Sequence, residues 1–376
     1  MYTVIHVRGE SVQRLRIVVK VGSSSLTDPT TGLLSSQKVH GIVERLAPVL
    51  KDPAYEVILV SSGAIAAGRG RLGWRSARTV PEKQAASAVG QSLLIDLYQR
   101  EFMSLNRVVA QILLTRSDME NRRRFVNIRN TLETLLEAGV LPIVNENDTV
   151  AVNEIRFGDN DSLAALVAIL ICAQHLILLT DIDGLYTEDP RVVPDAKRIE
   201  EVEKIDSSIR ELAGGVGSSV GTGGMHTKIR AAEMAIHSGI EVVIAAASEP
   251  NVLMRLLRGE RLGTRFLPEK SHWNARKSWL VHGSRSVGRL YIDAGAARAV
   301  RTTGGSLLLP GIERVEGRFD EGAIVELIDP EGRAIAKGIV SFSARDLEYF
   351  IKNKSLKGQL HGLPEVVHRN DLALLL

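Results

Sequence analysis

From residue 15 to about residue 260, short runs of Val, Ile and Leu alternate with longer stretches whose apolar residues recur at helical spacing. The runs are Leu15–Val21, Glu56–Ser61, Arg107–Leu114, Val140–Val144, His175–Thr180 and Ile240–Ala246. A strand that shows one face to water alternates apolar and polar residues. A strand covered on both faces has no need to, and these runs are nearly continuous. Helices are predicted between them, over Ser36–Leu50, Glu82–Phe102, Asp118–Ala138, Ser162–Ala173 and Thr227–Ser238. Ser117 or Asp118 can cap a start, and Gly139 and Gly239 stand where a terminating glycine belongs. This alternation predicts an α/β domain with a mainly parallel sheet sandwiched by helices.

After a helix-like Asn251–Arg258 the pattern changes. Residues 260–285 are polar and broken by Gly263, Pro268 and Gly283. From Gly288 onward short apolar pieces are split by glycine turns, which predicts a small β barrel or sandwich. A helical piece, Ala344–Lys352, precedes a final strand near Glu365–His368. The expected division is an N-terminal extension over 1–13, an α/β domain over 14–267, a linker over 268–285, a small β domain over 286–366 and a tail over 367–376.

Composition agrees with two ordinary globular domains in 376 residues: 44% hydrophobic and 24% charged. With 47 Lys plus Arg against 44 Asp plus Glu, the balance is too even to argue for a nucleic-acid partner. The single cysteine, Cys172, sits in an apolar run and excludes an internal disulfide or a cysteine metal cluster. The first residues lack the apolar core of a signal peptide. The longest apolar run, Leu163–Ala173, is too short to span a bilayer. A cytoplasmic protein without a membrane partner is therefore expected.

In open α/β sheets, ligands bind beyond the carboxyl ends of the strands. The residues following each run are small, polar or charged. Lys20, Gly22 and Ser23–Ser25 follow the first, Ser62-Gly63-Ala64 the second, Asn145-Glu146-Asn147-Asp148 the fourth, and Thr180-Asp181 ends the fifth. Lys20 beside flexible backbone amides suits phosphate oxygens, although a lysine near a strand end is commonly a solvated charge. The segment Gly221-Thr-Gly-Gly-Met-His-Thr-Lys228 runs a glycine-rich loop into a helix start, with Lys228 in the first turn. Backbone N–H groups and the helix dipole favour an anion there; the plainer reading is a flexible hinge. The Walker pattern GxxxxGK[ST] is absent. Gly68–Gly73 matches GxGxxG but lacks the strand-to-helix context, so it reads as a chance match in a loop. Gly158-Asp159-Asn160-Asp161 could simply cap the following helix. Its two carboxylates exceed what capping needs, and such acids can orient lysines or hold Mg²⁺ through water. Asn147 and Asp148 could hold a substrate ammonium group.

Together, in this order, these segments resemble the amino-acid kinase family, over about residues 14–266. Within it they are most similar to the members that phosphorylate the side-chain carboxylate of free L-glutamate at the start of proline biosynthesis. The C-terminal part resembles a PUA domain, a fold best known from RNA-modifying enzymes. The resemblance implies that Lys20 and Lys228 contact ATP phosphates and that Asp161 organises them. It implies that Gly22, Ser23, Thr180, Asp181 and the loop Thr222, Gly223, Gly224, Met225, His226, Thr227 and Lys228 hold the nucleotide. Ser62, Asp148 and Asn160 would bind glutamate. ATP as co-substrate, Mg²⁺, a homo-oligomer (dimer or tetramer) and feedback inhibition by proline are implied in the same way. The chain departs from the family pattern in its extension over 1–13 and in His226, where serine is frequent. A rival reading gives the β domain an RNA partner through Arg285, Arg289, Arg298, Arg301, Arg314 and Arg318. A solvated surface explains these arginines more simply.

Overall fold

The computed structural model describes residues 4–7, 10–150, 160–190, 192–213, 224–269, 277, 279–303, 305–352 and 365–375. The chain divides into two compact units, Met1–His272 and Trp273–Leu376.

The strands of the first unit are β1 (Val4–Val7), β2 (Glu10–Gln13), β3 (Leu15–Val21), β4 (Tyr55–Ser61), β5 (Val109–Leu114), β6 (Leu141–Glu146), β7 (His175–Thr180), β8 (Leu185–Tyr186), β9 (Arg198–Ile199), β10 (Glu201–Val202), β11 (Glu241–Ala246) and β12 (Thr264–Phe266). Its helices are α1 (Ser36–Lys51), α2 (Ala64–Leu72), α3 (Val80–Met103), α4 (Arg116–Glu120), α5 (Arg122–Glu137), α6 (Asn160–Leu170), α7 (Ser207–Leu212), α8 (Met225–Ile236) and α9 (Val252–Leu257).

Eight strands form one sheet in the order β10-β12-β11-β7-β3-β4-β6-β5. All neighbours from β11 to β5 run parallel, and β12 joins β11 antiparallel. The chain therefore starts in the middle of the sheet, builds outward through β4, and returns across β3 to lay down β7. That crossing is the topological switch at which α/β sheets open a crevice.

Each strand shows why its sequence does not alternate. Ile17, Val19 and Val21 pack with Ile42 and Leu46 of α1, Tyr98 and Phe102 of α3, and Leu253 of α9. A strand's side chains point alternately to opposite faces. Val18 and Lys20 therefore face the other side, where α6 packs against β3. Helix α6 is buried all round, from Asp161 to Leu170. The lysine at position 20 thus points towards the start of the most enclosed helix in the unit.

Three expectations are corrected here. The single helix expected over Asp118–Ala138 is two, separated at Asn121, because Thr115 and Asn121 each cap a new start. Gly68–Gly73 is not a loop; it is the second half of α2, ended by Gly73 in the left-handed conformation at φ 68°. Asn145 and Glu146 are the last residues of a strand rather than a following loop.

The second unit contains β13 (Gly288–Ile292), α10 (Ala294–Arg298), β14 (Leu307–Leu308), β15 (Ile312–Gly317), β16 (Ile324–Ile328), β17 (Ala334–Ile339), α11 (Ala344–Lys352), β18 (Glu365–Val367) and β19 (Leu372–Leu374). Five strands form a sheet in the order β15-β13-β16-β17-β19, and β14 pairs with β18. Leu290, Leu327, Ala336 and Leu347 are among its core. Two segments differ from expectation. The stretch read as a linker contains a helical turn at Trp279–Gly283 with Trp279 buried. The stretch read as a tail supplies β19, which pairs antiparallel with β17. Among the described residues no helix is long and apolar enough to cross a membrane.

Candidate active site

A cleft of about 830 Å³ opens beyond the carboxyl ends of β3, β4, β6 and β7 in the first unit. Three helices start at its wall, α2 at Ala64, α6 at Asn160 and α8 at Met225. The caps of α2 and α8, Gly63 and Gly224, make no side-chain capping bond. With no capping side chain, the starts of both helices favour an anion, and the dipoles point the same way. Gly63 holds φ 109°, which an L side chain rarely adopts, so glycine is required where β4 turns into α2.

Asp161 lies at the centre of the charge arrangement. Its side chain is 0% exposed, and those of Lys20 and Lys228 are each 4% exposed. Lys20 Nζ is ion-paired with Oδ1. Lys228 Nζ lies 3.2 Å from Oδ2. Thr227 Oγ1 is 2.8 Å from the same oxygen and 2.7 Å from the Gly224 carbonyl. Its single proton goes preferentially to the charged acceptor. Burial alone pushes the Asp161 carboxyl up. The two ammonium groups and the hydroxyl outweigh that and hold it below the usual carboxylate range. One carboxylate thus carries two lysines, leaving a net positive charge facing the cleft.

Beside them, Thr180 Oγ1 donates to Asp181 Oδ1 at 2.9 Å, with Ser24 Oγ 3.4 Å from the same atom. Partial burial raises the Asp181 carboxyl; the Thr180 hydroxyl, its own backbone amide, Lys228 and Ser24 bring it below the usual range. Gly22 underlies the Lys20 ammonium, since a Cβ there would sit 3.5 Å from Nζ.

A second set of polar groups lies across the cleft. Asn160 Nδ2 donates to Ser62 Oγ at 2.8 Å and to Asn145 Oδ1 at 2.9 Å. Asn145 Nδ2 donates in turn to Gln91 Oε1 at 3.3 Å, and Gln91 Nε2 to the Glu146 carbonyl at 3.2 Å. This amide chain ties α6, β6 and α3 together and fixes which end of Asn160 is which. Among the described residues its buried Oδ1 has no hydrogen-bond partner, an acceptor left for an incoming donor. Ser87 Oγ donates to Asp148 Oδ2 at 2.9 Å and holds that carboxylate at the cleft wall.

The structure therefore brings together Lys20, Gly22, Ser23, Ser62, Asp148, Asn160, Asp161, Thr180, Asp181, Gly224, Met225, Thr227 and Lys228. His226 is exposed, and its side chain lies in a separate depression with Arg210, Arg230 and Glu233. Thr222 and Gly223 lie outside the described residues. Ser87 and Gln91 belong to the arrangement without having been singled out, and they join Asn145, which had been named only for its place at a strand end. Their signal was available: Lys83, Ser87 and Gln91 recur every four residues along one face of α3, a polar stripe where an apolar one is expected.

Among the described residues no group of three His, Cys, Asp or Glu side chains could hold a metal ion.

Known proteins match both parts of the chain. Residues 15–246 match the amino acid kinase family, and residues 288–358 match the PUA domain. A protein of Carboxydothermus hydrogenoformans named glutamate 5-kinase is 48% identical over 369 residues, covering 96% of this chain and 97% of that one. A glutamate 5-kinase of Caldanaerobacter subterraneus subsp. tengcongensis is 46% identical over 367 residues, covering 96% and 98%. Among solved structures, carbamate kinase from Giardia lamblia bound to AMP-PNP superposes with a TM-score of 0.51 at 17% identity, covering 68% of this chain and 99% of that one. That likeness speaks for the fold alone. With the family's sheet, its strand-end cleft and a second unit matching the PUA domain, the chain belongs to the amino acid kinase family, in the group whose members are named glutamate 5-kinase.

Proposed function

We propose that the chain transfers the γ-phosphoryl group of ATP to the side-chain carboxylate of free L-glutamate, giving γ-glutamyl 5-phosphate and ADP, the first step of proline biosynthesis. The observation that carries this reading is the shared grip of Lys20 and Lys228 on the buried Asp161 at the mouth of three helix N-termini. The relatives' common name supplies the substrate.

The chemistry asks little of the protein beyond position and charge. A carboxylate is ionised at neutral pH and is already a nucleophile, so no general base is required. Its oxygen attacks the γ-phosphorus in line, the new O–P bond forms, and the bond to the bridging oxygen of ADP breaks. Charge spreads over the phosphoryl oxygens in the transition state. Lys20 and Lys228 neutralise it, and the N–H groups at the starts of α2 and α8 add to them. Asp161 keeps both ammonium groups charged and aimed. Thr180, Asp181 and the 222–228 loop hold the nucleotide, with Gly22 and Ser23 beside Lys20. Asp148 takes the substrate's ammonium group. Ser62 and Asn160 complete that pocket, with Asn160 Oδ1 as the waiting acceptor. Mg²⁺ belongs to this reading as part of the nucleotide substrate, carried on its phosphates.

Proline as a competitor at or near the glutamate pocket, a dimer or tetramer, and a cytoplasmic location belong to the same proposal. An RNA role for the second unit is compatible with a PUA domain, but no observation favours it here. Arg289 is paired with Glu316 and Glu326, Arg314 with Glu316 and the Tyr291 ring, and Arg301 with Asp329. Half of the arginines considered for that role are thus already partnered.

Trapping the acyl phosphate with hydroxylamine tests the proposal. The purified protein should form hydroxamate only with ATP and glutamate, and proline should suppress it. Hydroxamate from aspartate, or phosphorylation of N-acetylglutamate, carbamate or UMP in its place, would assign another substrate.

A further inference from the structure

The cleft carries more positive charge than its phosphoryl end uses. Lys20 and Lys228 are committed to Asp161. Two further cations line the same cleft, Arg69 on α2 and Lys83 on α3. Lys83 is half-buried, and among the described residues its side chain has neither an ion pair nor a hydrogen bond. Arg69 donates from Nη2 to the Arg75 carbonyl, and among the described residues its buried Nε has no hydrogen-bond partner. A cation that gives up hydration without pairing to a carboxylate is stabilised by an arriving anion. Both groups await a negative charge.

Their position tells which one. Ser87 lies one helical turn beyond Lys83 on the same face of α3, and its hydroxyl holds Asp148. Residues four apart on a helix have their Cβ atoms about 5–6 Å from each other. Lys83 therefore rises from the same face of α3 that holds Asp148, and both residues line the cleft. An α-amino acid presents the matching pair, an ammonium and a carboxylate on one carbon. The two helices are also fixed against each other. A Cβ on Gly68 would lie 1.7 Å from the Ala86 carbonyl oxygen, and one on Gly90 would lie 1.7 Å from that of Ala64. Backbone contact of this closeness sets Arg69 and Lys83 on a rigid wall.

We propose that Lys83, with Arg69 beside it, receives the substrate's α-carboxylate and so selects an amino acid with two carboxylates. With Asp148 and Lys83 holding the α-carbon's two charges, the side-chain carboxylate alone is free to reach the phosphate. This explains how a kinase for carboxylates avoids the wrong carboxylate of its own substrate. The proposal rests on glutamate being the acceptor and Asp148 the ammonium's partner.

The test compares Lys83→Met with the unaltered protein, using L-glutamate as substrate and L-isoglutamine, whose α-carboxylate is a neutral amide, as competitor. Lys83→Met keeps the stem and removes the charge. The KM for glutamate should rise at least tenfold, kcat should change far less, and the KM for ATP should hold. The inhibition constant of isoglutamine should stay within about twofold, because that ligand never used the lysine charge. A rise of equal factor for both ligands would make Lys83 a structural residue and overturn the proposal, as would an unchanged KM for glutamate. An unaltered protein that forms no glutamyl phosphate would refute the parent reading and this one with it. Activity in the unaltered protein with a flat Lys83→Met refutes this one alone.

Discussion

Lys228 Nζ lies 3.2 Å from Asp161 Oδ2, a residue 67 positions earlier in the chain, while the other carboxylate oxygen is taken by Lys20. The lysine at the start of α8 is thereby delivered to the end of β3, with the first residues of α6 as the connector. Replacing Lys228 by Ala leaves Asp161 paired with Lys20, so the fold should survive. Loss of one charge-stabilising donor costs about 3 kcal/mol of barrier, roughly a hundredfold in kcat. Steady-state rates with a thermal melt on the same sample check this. Near-normal turnover would remove Lys228 from the transition state.

Asp161→Asn, unlike Lys228→Ala, acts on stability. It leaves two ammonium groups buried without a counter-charge, an unpaired arrangement that typically costs about 3–5 kcal/mol. The pH dependence has a definite sign. The folded carboxyl titrates below its unfolded value of 3.8. Ionised Asp161 therefore contributes its full stabilisation above about pH 4 and loses it as the pH falls below that. Denaturant titrations between pH 2 and pH 6 should show a steeper acid loss in the unaltered protein than in Asp161→Asn. Parallel curves would mean that another group governs acid unfolding.

Ser87→Ala should register in substrate binding. The hydroxyl fixes one oxygen of Asp148 at 2.9 Å, and hydrogen bonds to charged groups are worth about 1.5–3 kcal/mol. The KM for glutamate should rise about tenfold or more, with kcat little changed. Asp148→Ala should raise it further. An unchanged KM in both variants would take Asp148 out of the amino-acid pocket.

The crossing of α2 and α3 should be intolerant of any side chain. At Gly68 or Gly90 even a methyl group would overlap a backbone oxygen. Overpacking of this kind costs about 1–3 kcal/mol in a yielding core, and a helix backbone yields less. Gly68→Ala and Gly90→Ala should each lower Tm measurably, whereas Gly70→Ala in the same helix α2, where a Cβ would make only ordinary contact with Leu33 at 3.5 Å, should not. Equal melting temperatures across the three would contradict the close approach.

Much of the fold was legible because each core strand is covered on both faces. A continuous run such as His175–Thr180 admits few other readings, and β7 spans it. The lysines, Asp161 and the glycine-rich turn could be read because charged residues beside apolar runs stand out. Helix α2 was not legible. Its sequence, AIAAGRGRL, has small residues and two glycines in nine positions. It is helical because Gly68 lets it lie against α3, a tertiary reason that local propensity does not contain. The break at Asn121 was hidden by good helix formers on both sides. Ser87 and Gln91 escaped notice because polar residues inside a helix usually face water. Only the packing shows that theirs is the buried face. Likewise β19 is three residues long and gains its strand geometry from the edge of β17.

The most direct test is a crystal structure of the protein with a non-hydrolysable ATP analogue and glutamate. The account predicts both ammonium nitrogens, of Lys20 and Lys228, within hydrogen-bonding distance of phosphate oxygens, and the glutamate side-chain carboxylate in line with the γ-phosphorus. A nucleotide bound with either lysine turned elsewhere, or with the α-carboxylate facing the phosphate, would contradict it.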